Sequence, residues 1–123
     1  MIYRWRVDIE QLEDWVRRYR AVWESNEPAE IADLYAADAT YRMRPYLPPV
    51  EGRDAIVADW LDRADQPGET EFDYEILAVT DDLGVVQCRT AYTSGDHYHN
   101  LWLVRLDDEA RATDFTEWWM LEP

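Results

Sequence analysis

The hydrophobic pattern of the chain changes its period once, at Pro67 and Gly68. Before these residues, apolar side chains recur at the spacing of amphipathic helices. After them, apolar and polar side chains alternate, which is typical of strands that bury one face. The sequence therefore predicts helices in its first part and a run of consecutive strands in its second part.

Three helices are predicted before this change of period. The first begins after Asp8, and Gln11 three residues later completes a capping-box pattern. The second is short and has Pro28 at its first position, where a backbone N–H has no partner within the helix anyway. The third runs from Arg53 to about Ala64. The apolar stripe of the first helix is broad, so this helix is expected to pack on another layer.

Five strands are predicted. The first, Ala39 to Arg44, lies between the second and third helices. Prolines at positions 45, 48 and 49 are expected to exclude regular structure from there to Gly52. Short turns rich in Asp, Ser and Gly join the later strands, which predicts antiparallel neighbours. These later strands are Thr70 to Thr80, Val85 to Thr93, His97 to Leu106 and Ala112 to Leu121.

This order of elements is typical of an α+β fold. We expect three N-terminal helices packed on a strongly curved, mostly antiparallel sheet. Such a sheet wraps the first helix and leaves a cone-shaped pocket that is lined by side chains from both layers. The length of 123 residues is that of one domain, so residues 1–123 are expected to form a single domain.

The charge of the chain limits its partners. It has 27 acidic and 12 basic residues, a formal net charge of -15 and no lysine. This charge repels nucleic acid and anionic membrane surfaces, so neither is an expected partner. No segment is apolar over a length that could cross a membrane, and residues 1–6 do not resemble a signal peptide, so a cytoplasmic protein is expected. The single cysteine, Cys88, excludes an intramolecular disulfide.

Two segments carry a family resemblance. DATY at 38–41, LPP at 47–49 and GRDAI at 52–56 are similar to the corresponding segment of limonene-epoxide hydrolases, and FTEWW at 115–119 is similar to the last strand of many bacterial proteins. Together with the order of elements, these motifs resemble the SnoaL-like, nuclear transport factor 2-like superfamily over nearly the whole chain. The resemblance implies the α+β cone fold. Because this fold hosts isomerases, dehydratases, hydrolases, cyclases and proteins without chemistry, it does not imply one reaction.

The resemblance to limonene-epoxide hydrolases implies roles for three residues. It puts Tyr41 at a water-positioning tyrosine, Arg89 at the arginine that bridges two carboxylates, and Glu117 at the carboxylate that acts as base. Two positions depart from that pattern. Ala91 stands in place of the second carboxylate, and Met43 in place of an asparagine that helps to hold the water.

The resemblance to ketosteroid isomerases implies a different set. It puts Tyr19, near the end of the first helix, at their oxyanion-hole tyrosine. Their base position falls at Met43 or Arg44, and their neutral carboxylic acid at Trp102. A tyrosine on the apolar stripe of a helix is more often a core residue with a satisfied hydroxyl, so two interpretations of Tyr19 stay open.

Strand alternation predicts the pocket independently of the family. Arg89 shares a strand face with Gln87, and Glu117 shares one with Phe115 and Trp119. If both faces point inward, Glu117 and Arg89 meet in an aromatic chamber. Burial would raise the pKa of the carboxylate and the guanidinium would lower it, which predicts a poised base. The alternative is a structural ion pair that joins two strands.

Other pocket residues are expected to contact the ligand. The predicted ligand contacts are Trp60, Gln87, Asn100, Trp102, Phe115, Trp119 and Met43.

His97 and His99 share a strand face but lack a third ligand, so no metal site is expected, and no cofactor either.

The opposite sheet face is expected to be apolar, which predicts a homodimer packed sheet to sheet. The residues predicted on this outer face are Cys88, Thr90, Tyr92, Leu101, Leu103, Thr116 and Trp118.

These observations predict a pocket for a small, largely apolar molecule with one polar oxygen. The expected chemistry is cofactor-independent acid/base catalysis of the isomerase, dehydratase or hydrolase type. Glu117 is expected to act as base, Arg89 to orient it, and Tyr41 or Tyr19 to donate a hydrogen bond. The alternative is a non-catalytic ligand-binding protein, or a dimeric interaction protein, of the same fold.

Overall fold

A computed structural model describes residues 6–123. Residues 1–5 lie outside the described part of the chain. The prediction that residues 1–6 are not a signal peptide therefore falls mostly outside the described residues. No helix between residues 6 and 123 is long and apolar enough to cross a membrane. The helices are α1 (Ile9–Ser25), α2 (Pro28–Asp33) and α3 (Arg53–Asp62). The strands are β1 (Tyr35–Arg42), β2 (Val50–Glu51), β3 (Thr70–Thr80), β4 (Leu83–Tyr92), β5 (His97–Leu106) and β6 (Ala112–Leu121).

Helix α1 begins at the predicted capping box. The Asp8 side chain accepts a hydrogen bond from the Gln11 backbone N–H at 2.8 Å, and the Gln11 side chain accepts one from the Asp8 N–H at 2.9 Å. The helix is capped at its C-terminal end by Asn26, whose φ of 53° lies in the left-handed region that asparagine tolerates better than most residues. The predicted apolar stripe is confirmed. Its buried residues are Leu12, Trp15, Val16, Tyr19 and Val22.

The strands form one sheet in the order β2-β1-β6-β5-β4-β3. Strands β3 to β6 are a meander of antiparallel neighbours, whereas β1 pairs with β6 in parallel. The last strand of the chain therefore lies inside the sheet, between β1 and β5. The predicted fold class, α+β with helices packed on a mostly antiparallel sheet, is confirmed.

Helix α1 packs closely on the inner face of this sheet. A Cβ at Gly84 of β4 would overlap the side chain of Leu12 of α1, so glycine lets the two elements approach without displacing that side chain. Nearby, the ring of Trp15 lies 6.3 Å from that of Trp102 and 5.3 Å from that of Phe115, centroid to centroid. The hydrophobic core thus lies between α1 and the inner sheet face.

The bounds of β1 and β4 differ from the prediction, and one strand is missing from it. β4 runs from Leu83 to Tyr92 rather than from Val85 to Thr93, and β1 ends at Arg42 rather than at Arg44. β1 begins at Tyr35, four residues before Ala39, because the chain already bonds to β6 there: the Ala112 N–H donates to the Leu34 carbonyl oxygen at 2.8 Å. The short β2, Val50–Glu51, is missing from the prediction and pairs with β1 at the edge of the sheet. A proline removes only its own N–H, so the residues that follow can still pair.

The facing of β4 is opposite to the prediction. Val86, Cys88 and Thr90 are buried, whereas Gln87 and Arg89 are exposed. The expectation that Gln87 and Arg89 line the pocket is therefore wrong. A guanidinium or amide group loses far more hydration free energy on burial than an aliphatic or thiol side chain. The small, weakly polar side chains of β4 consequently take the inner face.

The outer face of the sheet is correspondingly different from the predicted one. Gln87 pairs across it with Leu101, and Leu101 pairs with Trp118. Trp118 is 36% exposed and Met120 62% exposed, so an apolar strip persists along β6. The residues predicted on this face that belong to the inner face instead are Cys88, Thr90 and Tyr92.

Candidate functional site

A cavity of about 260 Å³ lies between α1, α3 and the inner face of the sheet. An apolar cavity of about 150 Å³ accommodates benzene, so this one has room for a ring with substituents. Eight of its sixteen lining residues are aromatic. The helices contribute Tyr19, Trp23 and Trp60, and the strands contribute Tyr35, Tyr41, Tyr92, Tyr98 and Trp119.

Glu117 presents its carboxylate to this cavity from β6. Its Oε1 accepts a hydrogen bond from the Tyr41 hydroxyl at 3.0 Å, and its Oε2 accepts one from the Trp102 indole N–H at 2.8 Å. Tyr41 lies on β1 and Trp102 on β5, the two strands that flank β6. The interior position of β6 thus gives the carboxylate one neutral donor on each side.

Burial raises the pKa of Glu117 above its ordinary value of 4.5. The hydrogen bonds from Tyr41 and Trp102 and the positive charges of Arg63 and Arg44 oppose this effect, but burial prevails. The carboxyl group therefore exchanges its proton at a higher pH than an exposed glutamate does. A carboxyl group with a raised pKa is suited to act as an acid or a base near neutral pH.

Arg63 supplies a positive charge to the cavity wall. Its guanidinium lies 2.6 Å from the carboxylate of Asp59, one helical turn earlier, and 3.5 Å from the Tyr41 hydroxyl. Burial lowers the pKa of Arg63, but the hydrogen bonds with Asp59 and Tyr41 raise it by more, so the group stays charged. Arg63 thereby exerts on Glu117 the electrostatic effect that the sequence assigns to Arg89.

The predicted ion pair between Glu117 and Arg89 does not form, because the two side chains lie on opposite faces of the sheet. Within residues 6–123, Glu117 has no basic group within 4.0 Å. Its hydrogen bonds all come from neutral groups. The interpretation of Glu117 as half of a structural salt bridge is therefore wrong as well.

Trp119 forms another side of the cavity and is held by two arginines. The guanidinium of Arg44 lies 4.2 Å from its ring centroid, and that of Arg63 lies 5.6 Å away. Arg44 also donates a hydrogen bond to the Trp119 carbonyl oxygen at 3.1 Å. Each such cation–π contact contributes about 0.5–1 kcal/mol at an exposed site, so the indole is fixed as a wall.

Two buried tyrosines bring unpaired hydroxyls to the cavity. Tyr19 is 8% exposed and Tyr35 is 1% exposed, and both line the cavity. Neither hydroxyl has a hydrogen-bond partner in the described part of the chain. Burial raises the pKa of both, so the hydroxyls stay protonated and can donate to a bound molecule. Tyr19 is thus a core residue by packing, but no group among residues 6–123 satisfies its hydroxyl.

A second carboxylate, Asp65, lies where α1 and β4 approach the cavity. Its Oδ2 accepts hydrogen bonds from the Trp23 indole N–H and the Tyr92 hydroxyl, both at 2.9 Å. The carbonyl oxygen of Asp65 accepts one from the side-chain amide of Asn26, which in turn accepts one from the Trp60 indole N–H. This network joins the end of α1 to the segment after α3 and orients the indoles and the carboxylate that line the cavity.

The predicted ligand contacts fall into three groups. Trp102 and Phe115 are buried beneath the cavity, because the rings of Trp15 and Tyr19 on α1 cover them. Trp102 reaches the site only through its hydrogen bond to Glu117. Met43 packs against the core, and Gln87 is exposed on the outer face, so neither lines the cavity. The residues that do line it are Trp60, Asn100 and Trp119.

Several cavity residues are absent from the sequence prediction. Asp59 and Arg63 show the i, i+4 spacing of a helical ion pair, which is a signal of surface pairing and does not mark a pocket. Asp65 follows α3 in an irregular segment that has no periodic pattern. For Tyr92, the alternation with Val86 and Cys88 is the signal that would have indicated the inner face.

The two histidines do not form a metal site. His99 Nε2 lies 3.5 Å from the Glu122 carboxylate. Between residues 6 and 123, no group of three or more His, Cys, Asp or Glu side chains could hold a metal ion. His97 lies in a shallow depression on the outer side of the sheet together with Arg89.

The chain matches one family model and several solved structures. The model of the SnoaL-like domain matches residues 16–121. A candidate ketosteroid isomerase of Kribbella flavida shares 18% identity at a TM-score of 0.70, over 93% of this chain and 82% of that one. An NTF2-like protein of unknown function from Mesorhizobium loti shares 25% identity at a TM-score of 0.69, over 96% and 99% of the two chains. Another, from Burkholderia xenovorans, shares 14% identity at a TM-score of 0.73, over 93% and 85%. No curated protein matches the chain.

Proposed function

The chain belongs to the family of SnoaL-like domains, and we propose that it is an enzyme of acid/base chemistry that acts in the aromatic cavity on a small, largely apolar, oxygen-bearing molecule. One observation carries this proposal: Glu117 holds an accessible carboxylate with a raised pKa in a cavity of suitable size. Its partners are neutral donors rather than a cation. A carboxyl group held in this way is free to gain and lose a proton.

Glu117 has the lone pairs that such chemistry needs. Each carboxylate oxygen has two, and each is engaged by one donor, so one lone pair on either oxygen remains for a bound molecule. In an isomerisation, the carboxylate takes a proton from a C–H bond next to the polar oxygen and returns it to another carbon. In a dehydration, the carboxylate takes a proton from the carbon next to the one that bears the hydroxyl, and the protonated Glu117 delivers that proton to the hydroxyl. The C–O bond breaks as the carbon–carbon double bond forms, and the hydroxyl leaves as water. Both steps return Glu117 to its starting state.

Tyr19 and Tyr35 are suited to bind the polar oxygen of the substrate. Both hydroxyls line the cavity without a partner in the described residues. A neutral hydroxyl donor strengthens its hydrogen bond as negative charge develops on a carbonyl oxygen, which lowers the barrier to proton removal. Tyr41 is already bound to Glu117, so its role is to position the carboxylate.

A substrate screen with a Glu117→Gln variant tests the proposal. We expect turnover of at least one member of a panel of small epoxides, enones and hydroxy-ketones. The variant is expected to lose about 10²–10⁴-fold in kcat, with its fold retained by circular dichroism. Arg89→Gln, on the outer sheet face, is the matched control and is expected to keep full activity.

The alternative function is non-catalytic ligand binding. It predicts that panel members bind to wild type and to Glu117→Gln with similar affinity and that neither protein turns them over. Calorimetric titration beside the activity assay distinguishes the two functions, because binding to both proteins without product formation by either would reject the enzyme.

We also propose that two copies pair through the outer sheet face. In support, Leu101 and Leu103 are only half-buried in the single chain, and Trp118 and Met120 are exposed beside them. Exposed apolar strips of this kind usually mark an interface. Inner and outer faces would then have separate roles, the first in binding a small molecule and the second in assembly.

A further inference from the structure

We propose that the molecule bound in the cavity carries an ammonium group in addition to its polar oxygen, and that this group lies among the aromatic rings and the carboxylates of Asp65 and Glu117. The inference rests on the proposed function in taking this cavity as the ligand site, and it adds the chemical class of the ligand. Such a ligand is a primary amine on a body of about one ring, since the cavity volume is about 260 Å³.

The charges of the cavity wall do not balance. Asp59, Asp65 and Glu117 are its acidic lining residues and Arg63 is its basic one. Arg63 is paired with Asp59 at 2.6 Å. Among residues 6–123, neither Asp65 nor Glu117 has an arginine or histidine within 4.0 Å. Neither carboxylate therefore forms an ion pair, and the positive charge of Arg63, which acts on Glu117 from a longer distance, is already paired with Asp59.

Neutral donors orient both carboxylates and leave acceptor capacity towards the cavity. Asp65 receives the Trp23 and Tyr92 hydrogen bonds on Oδ2 alone, and no described residue donates to its Oδ1. Glu117 keeps a lone pair on each oxygen. An ammonium group supplies up to three N–H donors and one positive charge, which is what these acceptors lack.

The aromatic lining completes the site for a cation. A cation is attracted to a tryptophan or tyrosine ring face within about 6 Å of the centroid. Arginines of this chain already use two cavity rings in this way: Arg20 lies 4.7 Å from the Trp23 ring and Arg44 lies 4.2 Å from the Trp119 ring. The ring of Trp60, in the same wall, carries no such arginine in the described part of the chain.

The opposite ligand charge is disfavoured in the same site. An anion would face two carboxylates that form no ion pair within the described residues, in a protein whose formal net charge is -15. A neutral ligand of the same size supplies no counter-charge to these carboxylates, so it is expected to bind less tightly than a cation. A cation is therefore the ligand that the cavity stabilises most.

Three probes of nearly equal size and different charge test the inference. Benzylamine is cationic at pH 7, benzyl alcohol is neutral, and benzoate is anionic. By calorimetric titration, benzylamine is expected to bind at least roughly tenfold more tightly than benzyl alcohol, and benzoate most weakly. Binding in the cavity is expected to shift the indole N–H signals of Trp60 and Trp119 in nitrogen-15 spectra.

Two variants assign the preference to the cavity. Asp65→Asn keeps an oxygen that can accept the Trp23 and Tyr92 hydrogen bonds, so it is expected to fold. It should lose most of the preference for benzylamine, measured as the ratio of the benzylamine and benzyl alcohol affinities of the same variant. Asp108→Asn makes the same change in net charge at an exposed turn and should keep the full preference.

The inference is overturned if benzylamine binds no more tightly than benzyl alcohol, if it does not bind saturably, or if its binding leaves the Trp60 and Trp119 signals in place. Equal effects of Asp65→Asn and Asp108→Asn would overturn it too.

Failure of this inference is distinguishable from failure of the proposed function. Cation preference without any turnover rejects only the enzyme, and turnover of neutral substrates without cation preference rejects only this inference.

Discussion

Trp102 and Glu117 lie directly opposite each other on β5 and β6, and the indole N–H of Trp102 donates a hydrogen bond of 2.8 Å to Glu117 Oε2. Trp102 is 1% exposed, so this donor has no competing water. The opposite oxygen of Glu117 is held by Tyr41 from the other neighbouring strand. The orientation and the acidity of Glu117 thus depend on strand pairing.

Replacing Trp102 with Phe removes the donor to Oε2 and keeps an aromatic ring. Because a hydrogen bond to a carboxylate favours its charged form, the pKa of Glu117 is expected to rise further. Carbon-13 titration of the Glu117 carboxyl group measures it. Trp15→Phe is the control, since it removes an equally buried indole donor whose acceptor is the Leu34 carbonyl oxygen. Both variants should lose about 1–3 kcal/mol of stability, and an equal pKa change in both would contradict the assignment.

Replacing Arg63 with Gln should change the pKa of Glu117, whereas the same substitution at Arg89 should not. Arg63→Gln removes a positive charge that lowers the pKa of Glu117, so the pKa is expected to rise and the pH–rate profile to move to higher pH. Arg89→Gln, on the outer face, should leave both unchanged. The profile measured with the best panel substrate decides between them. A shift with Arg89→Gln alone would restore the site implied by the epoxide hydrolase resemblance.

The stability of the protein should depend on pH through Glu117. Its folded pKa is raised above 4.5, so the folded state binds this proton more tightly than the unfolded state does. The stabilisation is therefore complete below the unfolded pKa and is lost as pH rises through the folded pKa. Relative to Glu117→Gln, the wild type is expected to lose unfolding free energy over that window. Urea unfolding at a series of pH values measures the difference, and a difference that does not change with pH would show that the folded pKa is not raised.

Trp118→Glu should weaken self-association. The substitution places a charge in the apolar strip of the outer sheet face, where a partner would desolvate it at high cost. We expect a shift from dimer to monomer in sedimentation velocity, with the cavity intact. Tyr46→Glu is the control, because Tyr46 is 77% exposed in the loop between β1 and β2 and is not part of the apolar strip. A wild-type protein that is monomeric at high concentration would contradict the predicted homodimer.

Much of the fold was accessible from local sequence. The capping box of Asp8 and Gln11 and the bounds of β3, β5 and β6 agree with the structure, because capping and alternation depend on residues close together in the chain. The inner face of β4 was predicted wrongly from the sequence, although Val86, Cys88 and Thr90 alternate with two strongly polar residues. There the family resemblance favoured Arg89 as an inner residue, and the hydration of its guanidinium decided otherwise.

The sequence by itself determined the helices, the meander and the residues of β6 that carry Glu117. Only the tertiary structure decided which groups surround that carboxylate. Tyr41 reaches Glu117 across 76 positions because β1 pairs in parallel with β6, and Arg63 and Asp65 reach the cavity from the segment that follows α3. No local pattern encodes these approaches. They follow from the pairing and packing of whole elements, which maximise burial of apolar surface and leave the polar groups to meet where the elements end.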